Sequence, residues 1–595
     1  MSRTHSHLTF ASVSTLLLIA LTVAVFGPLF SAGFVNYDDN DYILANPMVR
    51  GGLSWAGFTS ALTGFHKGNW HPLTWLSHQF DVQLFGLQPG PHHAVNVLLH
   101  TLATVLFFLL LCETTGARFR SLFAAALFGV HPLRVESVAW VAERKDLLCG
   151  VFFLVTLIAY VRWVRKGAKG SFATVAAAQA LALLSKPMAV SLPLAMLLLD
   201  FWPLGRAQTG WRRVPRLVLE KLPFIALSTA AAVIAFLAQR SGGALGDDRI
   251  FPPGLRLANA AISYAWYLAH FLAPHGLSVF YRYSEHVPWT TLGVSLIILT
   301  AVTALAFGWR ARFPGLPTGW LWFLFTLVPV IGLVQVGEQA RADRYTYLPL
   351  IGLLVITAWG CGLAVHRWPA LRVPTAAAAV ALVLAAGALA RTQAAIWQDS
   401  ETLFRHAIRV DPDNYVALNN LGETLHRRGD AGGALEHYLR AARVRPGVPG
   451  VWANIGAGYL DLGRTPEAEQ AFRTALALNP RHAEAHIGMG NAYIRQGLRE
   501  KAAQAFGQAV EAAPRSAQAR NALGAALAEL GRIPEALARY REALELQPDY
   551  ADPYFNMGID LLAVGRRAEG LEALRRAALL GHPGAQAKLA QAGVP

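Results

Sequence analysis

The chain has 595 residues, 54% of them hydrophobic, with 16 tryptophans, a mean hydropathy of +0.35 and a formal charge of +15. This composition excludes a disordered chain and an ordinary soluble multidomain protein, because it places much of the sequence in lipid. Cys112, Cys149 and Cys361 all sit in apolar runs, which excludes a disulfide framework. From Trp397 onward the chain carries 23 basic and 22 acidic residues, leaving 29 basic and 15 acidic ones before it. The positive surplus therefore belongs to loops between apolar segments, where it reports topology and not nucleic-acid binding.

Apolar segments occur near residues 9–30, 93–112, 121–133, 147–163, 172–185, 187–202, 222–238, 257–273, 290–308, 319–337, 346–365 and 374–390. Several have the length a helix needs to span the hydrocarbon layer. The first is read as an uncleaved helix, although "FSAG" after it offers the small residues of a signal cleavage site. The loops 162–170, 205–221, 308–315 and 366–372 are basic and are expected on the cytoplasmic side. Three apolar segments between the second and third of these loops are one too many for an even number of crossings. Segment 257–273, with Tyr264, Trp266, Tyr267 and His270, is therefore assigned to the interface or to a re-entrant loop. About 11 crossings result, with a cytoplasmic N-terminus and an outward-facing C-terminal tail.

The outward loops hold the ionisable residues. Loop 31–92 contains "VNYDDNDYILANP" (35–47), "NWHPLTWLSHQFD" (69–81) and "PGPHH" (89–93); the next contains "HPLRVESVAWVAERKDLL" (131–148); Lys186 marks a third and "GEQARADRYTYLP" (337–349) a later one. Ionisable groups at helix ends in a bilayer are costly unless paired or hydrated, so their convergence on one face is a site hypothesis. The plainer reading of each basic residue is headgroup contact. His71, His93, His131, Glu143, Asp146 and Asp343 fall in these loops and join the candidates. His131-Pro132 reads as a helix end, His100 as a buried and paired residue, and Asp41 as a cap. His71 and His78, like His93 and His100, are seven apart, with His66 and His92 nearby. No i, i+4 pair stands beside a carboxylate, so no metal is expected.

In the tail, Gly422, Gly456, Gly490, Gly524 and Gly558 recur every 34 residues; so do Gly429, Gly463, Gly497, Gly531 and Gly565, and Pro412, Pro446, Pro480, Pro514 and Pro548. Ala434, Ala468, Ala502 and Ala536 keep the period, each followed four residues on by Tyr438, Phe472, Phe506 or Tyr540. This is the tetratricopeptide pattern, with five repeats from about 413 to 582. The helix "SETLFRHAIRV" (400–410) is read as an unpaired second helix at its start. "GMGNAY" (488–493) mimics a nucleotide-binding glycine loop, but no strand precedes it and the period explains its glycines. The fold class is thus all-α: a polytopic membrane bundle in residues 1–396 and an α-solenoid in residues 397–595.

"DDND" in the first outer loop, the "HP…VAWVAERKDLL" loop, "ADRYTYLP" and the repeat tail together resemble the transmembrane and tetratricopeptide repeat-containing O-mannosyltransferases and their bacterial relatives, a group of GT-C glycosyltransferases. Two features depart from that pattern: the polar surroundings "NYDDND" of the acidic pair, and His71 before the proline of "NWHPLTW". The resemblance implies transfer of a hexose, mannose in the relatives, from a polyprenyl phosphate to Ser/Thr hydroxyls of exported proteins, with the repeats presenting the acceptor. It assigns the base to Asp38 or Asp39, of which Asp38 is preferred. Phosphate leaving needs cations, and a guanidinium fork suits it, so Arg144 and Arg344 lead, followed by Arg134, Lys186 and Arg282. One base and one leaving group imply inversion at the anomeric carbon; neither a metal nor another cofactor is expected. An Arg- and Ala-rich chain of this type fits the inner membrane of a bacterium, with the repeats in the periplasm. The alternatives are a membrane-anchored scaffold without activity, and a transferase acting on cell-surface glycan or lipid.

Overall fold

The computed structural model describes residues 2–167, 169–207, 211–243 and 250–593. Parts of the basic loops 162–170 and 205–221 lie outside the described residues. The chain forms two compact units, Met1–Pro412 and Asp413–Pro595. Among the described residues there are helices and two isolated bridges, His66 to Asn69 and Arg282 to Gln339.

In the first unit, α1 (Ser2–Phe26) leads into a segment with α2 (Pro47–Arg50), α3 (Trp55–Thr63) and α4 (Pro72–Phe85). Then come α5 (Pro89–Thr115), α6 (Arg118–Val130), the short α7 (Val135–Ala139) and α8 (Arg144–Lys166). Helices α9 (Lys169–Ser185), α10 (Leu192–Phe201), α11 (Val214–Glu220), α12 (Leu222–Ser241) and α13 (Pro253–Leu272) follow. The unit closes with α14 (Trp289–Gly308), α15 (Gly315–Leu327), α16 (Leu350–Arg367), α17 (Arg372–Ala395) and α18 (Ser400–Val410).

Among the described residues, seven helical stretches are long and apolar enough to cross a bilayer: Thr9–Ser31, Pro89–Thr115, Val141–Lys166, Leu222–Ser241, Trp289–Gly308, Leu350–Arg367 and Pro369–Gln398. The pair Arg118–Val130 and Pro132–Ala139, bent by 58° where His131-Pro132 interrupts the helix, makes at most an eighth. Phe172–Ser185, Pro187–Phe201 and Gly315–Val330 are shorter apolar helices. Many apolar side chains face outward, Ile297 being 70% exposed, as a helix in lipid requires. Helix α13 is not among the candidate spans; its Asn259 and Tyr267 donate to the carbonyls of Ala340 (2.8 Å) and Ala342 (3.0 Å), which positions the 340–346 segment.

The division at Pro412 differs from the boundary at 396 that the repeat period suggests. Helix α18 buries its stripe of Leu403, Phe404 and Ala407 within the first unit. The Ser400 hydroxyl accepts from the Asn36 N–H at 2.8 Å, His406 donates to the Leu277 carbonyl at 2.9 Å, and Phe404 meets Tyr37 edge-on.

The second unit is five helix pairs, Tyr415–Arg427 with Ala431–Val444 through Ala551–Ala563 with Arg567–Leu579, followed by Ala585–Gln591. The repeated marks have distinct jobs. A Cβ at Gly422, Gly456, Gly490 or Gly524 would stand 2.5 Å from the ring of Tyr438, Phe472, Phe506 or Tyr540, so only glycine lets the paired helix seat its aromatic. Gly429, Gly463, Gly497, Gly531 and Gly565 take φ between +73° and +85° and end the first helix of each pair.

Candidate active site

The connections that carry the predicted residues meet at one end of the bundle: the C-terminal ends of α1, α6 and α9 and the N-terminal ends of α8 and α16. After α1 the chain makes a 3-10 turn, Gly27–Ser31, turns again through Asn36–Asp38 and enters a wide helical turn, Asn40–Leu44. Asp39 anchors this turn. Its fully buried carboxylate accepts from the Val35 N–H and the Ala142 N–H, both at 2.9 Å. Burial pushes its pKa up to about 7 against those two hydrogen bonds, which hold it down.

Asp38 is held beside it with a different environment. It is half-buried, and among the described residues its carboxylate accepts no hydrogen bond and forms no ion pair. Burial raises its pKa, and the neighbouring Lys145 and Arg344 charges act in the other direction. Asp41, read from the sequence as a cap, instead pairs with Lys67 at 2.9 Å on the exposed side. The cap of the next helix is Asn46, which accepts from the Met48 N–H.

Behind Asp38 lies a continuous buried ionic network. Glu143 faces Lys145 at 3.0 Å, Lys186 at 3.3 Å and Arg344 at 3.3 Å. Lys186 also reaches Asp146 at 2.6 Å, and Arg344 pairs with Glu136, whose other oxygen accepts the Arg344 N–H at 2.8 Å. Three carboxylates and three cations balance one another, which is what permits burial. Aromatic rings floor the network: Arg344 lies over Trp140 and Tyr345, each at 5.1 Å, and Lys145 lies over Tyr42 at 4.6 Å. Tyr37 packs on Trp140 at 4.9 Å. Asp343 accepts from the Tyr281 hydroxyl at 2.8 Å, and burial next to Glu136 holds it well above the usual carboxylate range.

The predicted residues divide accordingly. Asp38, Asp39, Glu143, Asp146, Lys186, Asp343 and Arg344 converge. His71 is buried at the edge of the cluster, where burial and the charges of Lys145 and Lys186 lower its pKa to about 3, so the ring is neutral.

Arg144 does not converge. One residue of helix rotates it away from Lys145, and its guanidinium is consumed by Asn96 Oδ1 (2.9 Å), the His92 carbonyl (2.8 Å), Ser77 and Asp81. Arg134 is fully buried elsewhere, stacked on Phe128 and Tyr347 and donating to the Thr346 and Tyr347 carbonyls, so no ligand reaches it. Arg282 makes a two-pronged pair with Asp411 at 2.6 and 2.9 Å, outside the network.

His93 donates to the Gly33 carbonyl at 3.2 Å and His131 to the Phe271 carbonyl at 3.0 Å; both shape backbone. His131 also accepts from the Leu133 N–H, the helix-end role read from its proline. His100 is buried between the Tyr347 hydroxyl and the Gly129 carbonyl.

Lys145, Glu136, Tyr42 and Tyr281 were absent from the sequence-level candidates. Lys145 and Glu136 stand inside the loop 131–148, but only the bend between α6 and α8 shows which of its charges turn inward.

Comparison with known proteins adds the context. Tetratricopeptide repeat family models match residues 403–436 and 459–526, and a TPR repeat model matches 526–563. Protein O-mannosyl-transferase TMTC3 of Mus musculus is 24% identical over 78% of this chain and 55% of its own length. Protein O-mannosyl-transferase TMTC1 of Homo sapiens is 26% identical over 74% of this chain and 56% of its own. The chain is similar to these protein O-mannosyl-transferases. It spans just over half the length of those two proteins. The solved structure of a thermophilic TPR protein from Thermus thermophilus matches 29% of this chain and 93% of its own at 29% identity and a TM-score of 0.26.

Proposed function

We propose that the first unit transfers a hexose, mannose by analogy with its relatives, from a polyprenyl phosphate to Ser/Thr hydroxyls of exported polypeptides, and that the repeat unit presents the acceptor. The observation that carries this reading is the Asp38 carboxylate, unpaired beside a network that holds Lys145, Arg344 and Lys186. The acceptor hydroxyl oxygen attacks the anomeric carbon as the bond from that carbon to the phosphate oxygen breaks. Both electrons of that bond leave with the polyprenyl phosphate, and the hydroxyl proton passes to Asp38. One displacement inverts the anomeric centre, and no general acid is needed because phosphate is already a good leaving group.

A raised pKa suits a base, since a carboxylate so shifted binds the proton more tightly than an exposed aspartate does. The cations share their charge among Glu136, Glu143 and Asp146, so they attract a phosphate without being so strongly positive that they retain the product. Lys145 and Arg344 take the roles that the sequence-level reading gave to Arg144 and Arg344.

On the repeat unit, a concave cavity of about 410 Å³ is lined by Asn454, Asn491, Glu484, Arg495 and Gln518 around Gly488. Carboxamides there suit the backbone of an extended polypeptide. The basic loops at the opposite helix ends support a cytoplasmic N-terminus and a site on the far face of a bacterial inner membrane.

The test is transfer from radiolabelled polyprenyl phosphate mannose to Ser/Thr-rich peptides by detergent-purified protein. Asp38→Asn is expected to lower turnover by about 10²–10⁴-fold, the usual contribution of a positioned base. Turnover unchanged in a folded Asp38→Asn protein rejects the reading. Equal transfer to peptide by wild type and an Asn454→Ala/Asn491→Ala variant removes the role given to the repeats.

A further inference from the structure

Outside the ionic network, α4 and α5 bring three potential ligands together. His78 and Asp81 stand three residues apart on one face of α4, and His92 lies in the first turns of α5. All three are buried, with exposures of 0, 2 and 0%, and their ligand atoms lie within 4.8 Å of one another. None of the sequence-level histidine pairings foresaw this grouping, because His92 and His78 belong to different helices.

The hydrogen bonding is what points to an ion. His92 Nε2 donates to the Gly86 carbonyl at 3.0 Å, which leaves a lone pair on Nδ1. That Nδ1 stands 3.4 Å from Asp81 Oδ2. Two ligands with bonds of about 2.1 Å to a tetrahedral zinc have the same separation, roughly 3.4 Å. Neither ring nitrogen of His78 has a hydrogen-bond partner among the described residues, and His92 Nδ1 has none either. A buried polar atom without a partner destabilises the fold, so three in one cluster call for an occupant.

We propose that His78, Asp81 and His92 bind one divalent d-block cation of the zinc class. The ion staples α4, which belongs to the segment after α1, onto α5. Through Asp81 it also connects to Arg144 at the start of α8. A carboxylate oxygen has two lone pairs, so Asp81 Oδ2 accepts from Arg144 and still offers one to the metal. The guanidinium fixes that carboxylate, as outer partners of metal ligands commonly do. Its positive charge also discriminates: magnesium and calcium, held by charge on oxygen ligands, are disfavoured, whereas an ion bound through imidazole lone pairs is accepted. None of the three ligands touches Asp38 or its ionic network, so the role is structural and independent of the transfer reaction.

The full chain, purified in detergent without chelator, is incubated with zinc, desalted and assayed by inductively coupled plasma mass spectrometry. One zinc per chain is expected in the wild type and a loss of it in His78→Gln/His92→Gln. Cobalt substituted for zinc is expected to show the visible absorption of a tetrahedral centre, changed by Asp81→Asn. A chelator lowers the melting temperature of the wild type and leaves that of the double variant unmoved. Wild-type protein that retains no zinc, or a double variant that retains as much as wild type, overturns the proposal. If the double variant does not fold, the cobalt spectrum of wild type decides: absence of a tetrahedral spectrum overturns it equally.

Discussion

The Asp39 carboxylate accepts a hydrogen bond from the backbone N–H of Ala142 at 2.9 Å, although 103 residues separate them. This contact ties the segment after α1 to the turn before α8, and it sets adjacent aspartates in different surroundings. Asp39 is committed to backbone, while Asp38, beside Lys145, has no hydrogen bond or ion pair among the described residues.

Substitutions of the two residues should therefore separate. Asp39→Ala strands two buried N–H groups and is expected to cost about 2–6 kcal/mol of stability by thermal unfolding, at about 1–3 kcal/mol for each. Asp38→Asn should leave the melting temperature within a few degrees of wild type and remove turnover. Equal effects of the pair on stability contradict the division.

The pH dependence follows in sign. Asp39 has a folded pKa of about 7 against about 3.9 unfolded, so between those values the folded chain binds more protons. Its contribution favours the fold below pH 4 and is lost as pH rises through 7. Relative to Asp39→Asn, the wild type should gain melting temperature as pH falls from 8 to 5. For turnover the ionised form of Asp38 is needed, so the acid limb should lie above the ordinary aspartate range.

Adjacent residues at the start of α8 make a second contrast. Lys145→Gln removes a cation next to Asp38 and, under the proposed function, is expected to reduce kcat/KM at least tenfold, because a charge facing the donor phosphate would act as the leaving group departs. Arg144→Ala leaves the buried Asp81 without its partner and should cost about 3–5 kcal/mol, read by denaturation, with donor affinity unaltered in the folded fraction. A donor-binding loss confined to Arg144→Ala reverses the assignment.

In the repeat unit, Gly456→Ala places a methyl group 2.5 Å from the Phe472 ring. Overpacking of this kind costs about 1–3 kcal/mol. Thermal unfolding followed on the repeats should show it, while Gly447→Ala, whose added carbon meets nothing within 4 Å, should be near neutral.

Much of this was readable before any fold. The 34-residue period named the solenoid because each mark answers a local steric demand that recurs with every repeat: glycine under an aromatic, glycine at positive φ, proline after the second helix. Apolar length and the basic loops identified the bundle for the same reason, since crossing lipid is a demand on a single segment. Helix α18 was harder, because its amphipathic stripe fits either unit and only the partner at Leu277 and Tyr37 decides.

Residue types and chain order by themselves determined the all-α class, the two-part organisation and the set of ionisable groups available at one end of the helices. The tertiary structure alone decided which groups meet: it turned Arg144 toward Asp81 and Lys145 toward Glu143, joined Arg344 to Glu136, and brought His92 to His78. Helical rotation of about 100° per residue separates neighbours in sequence, and a bend or a loop brings distant side chains together. A pairing between segments is a property of their packing, which no single segment encodes.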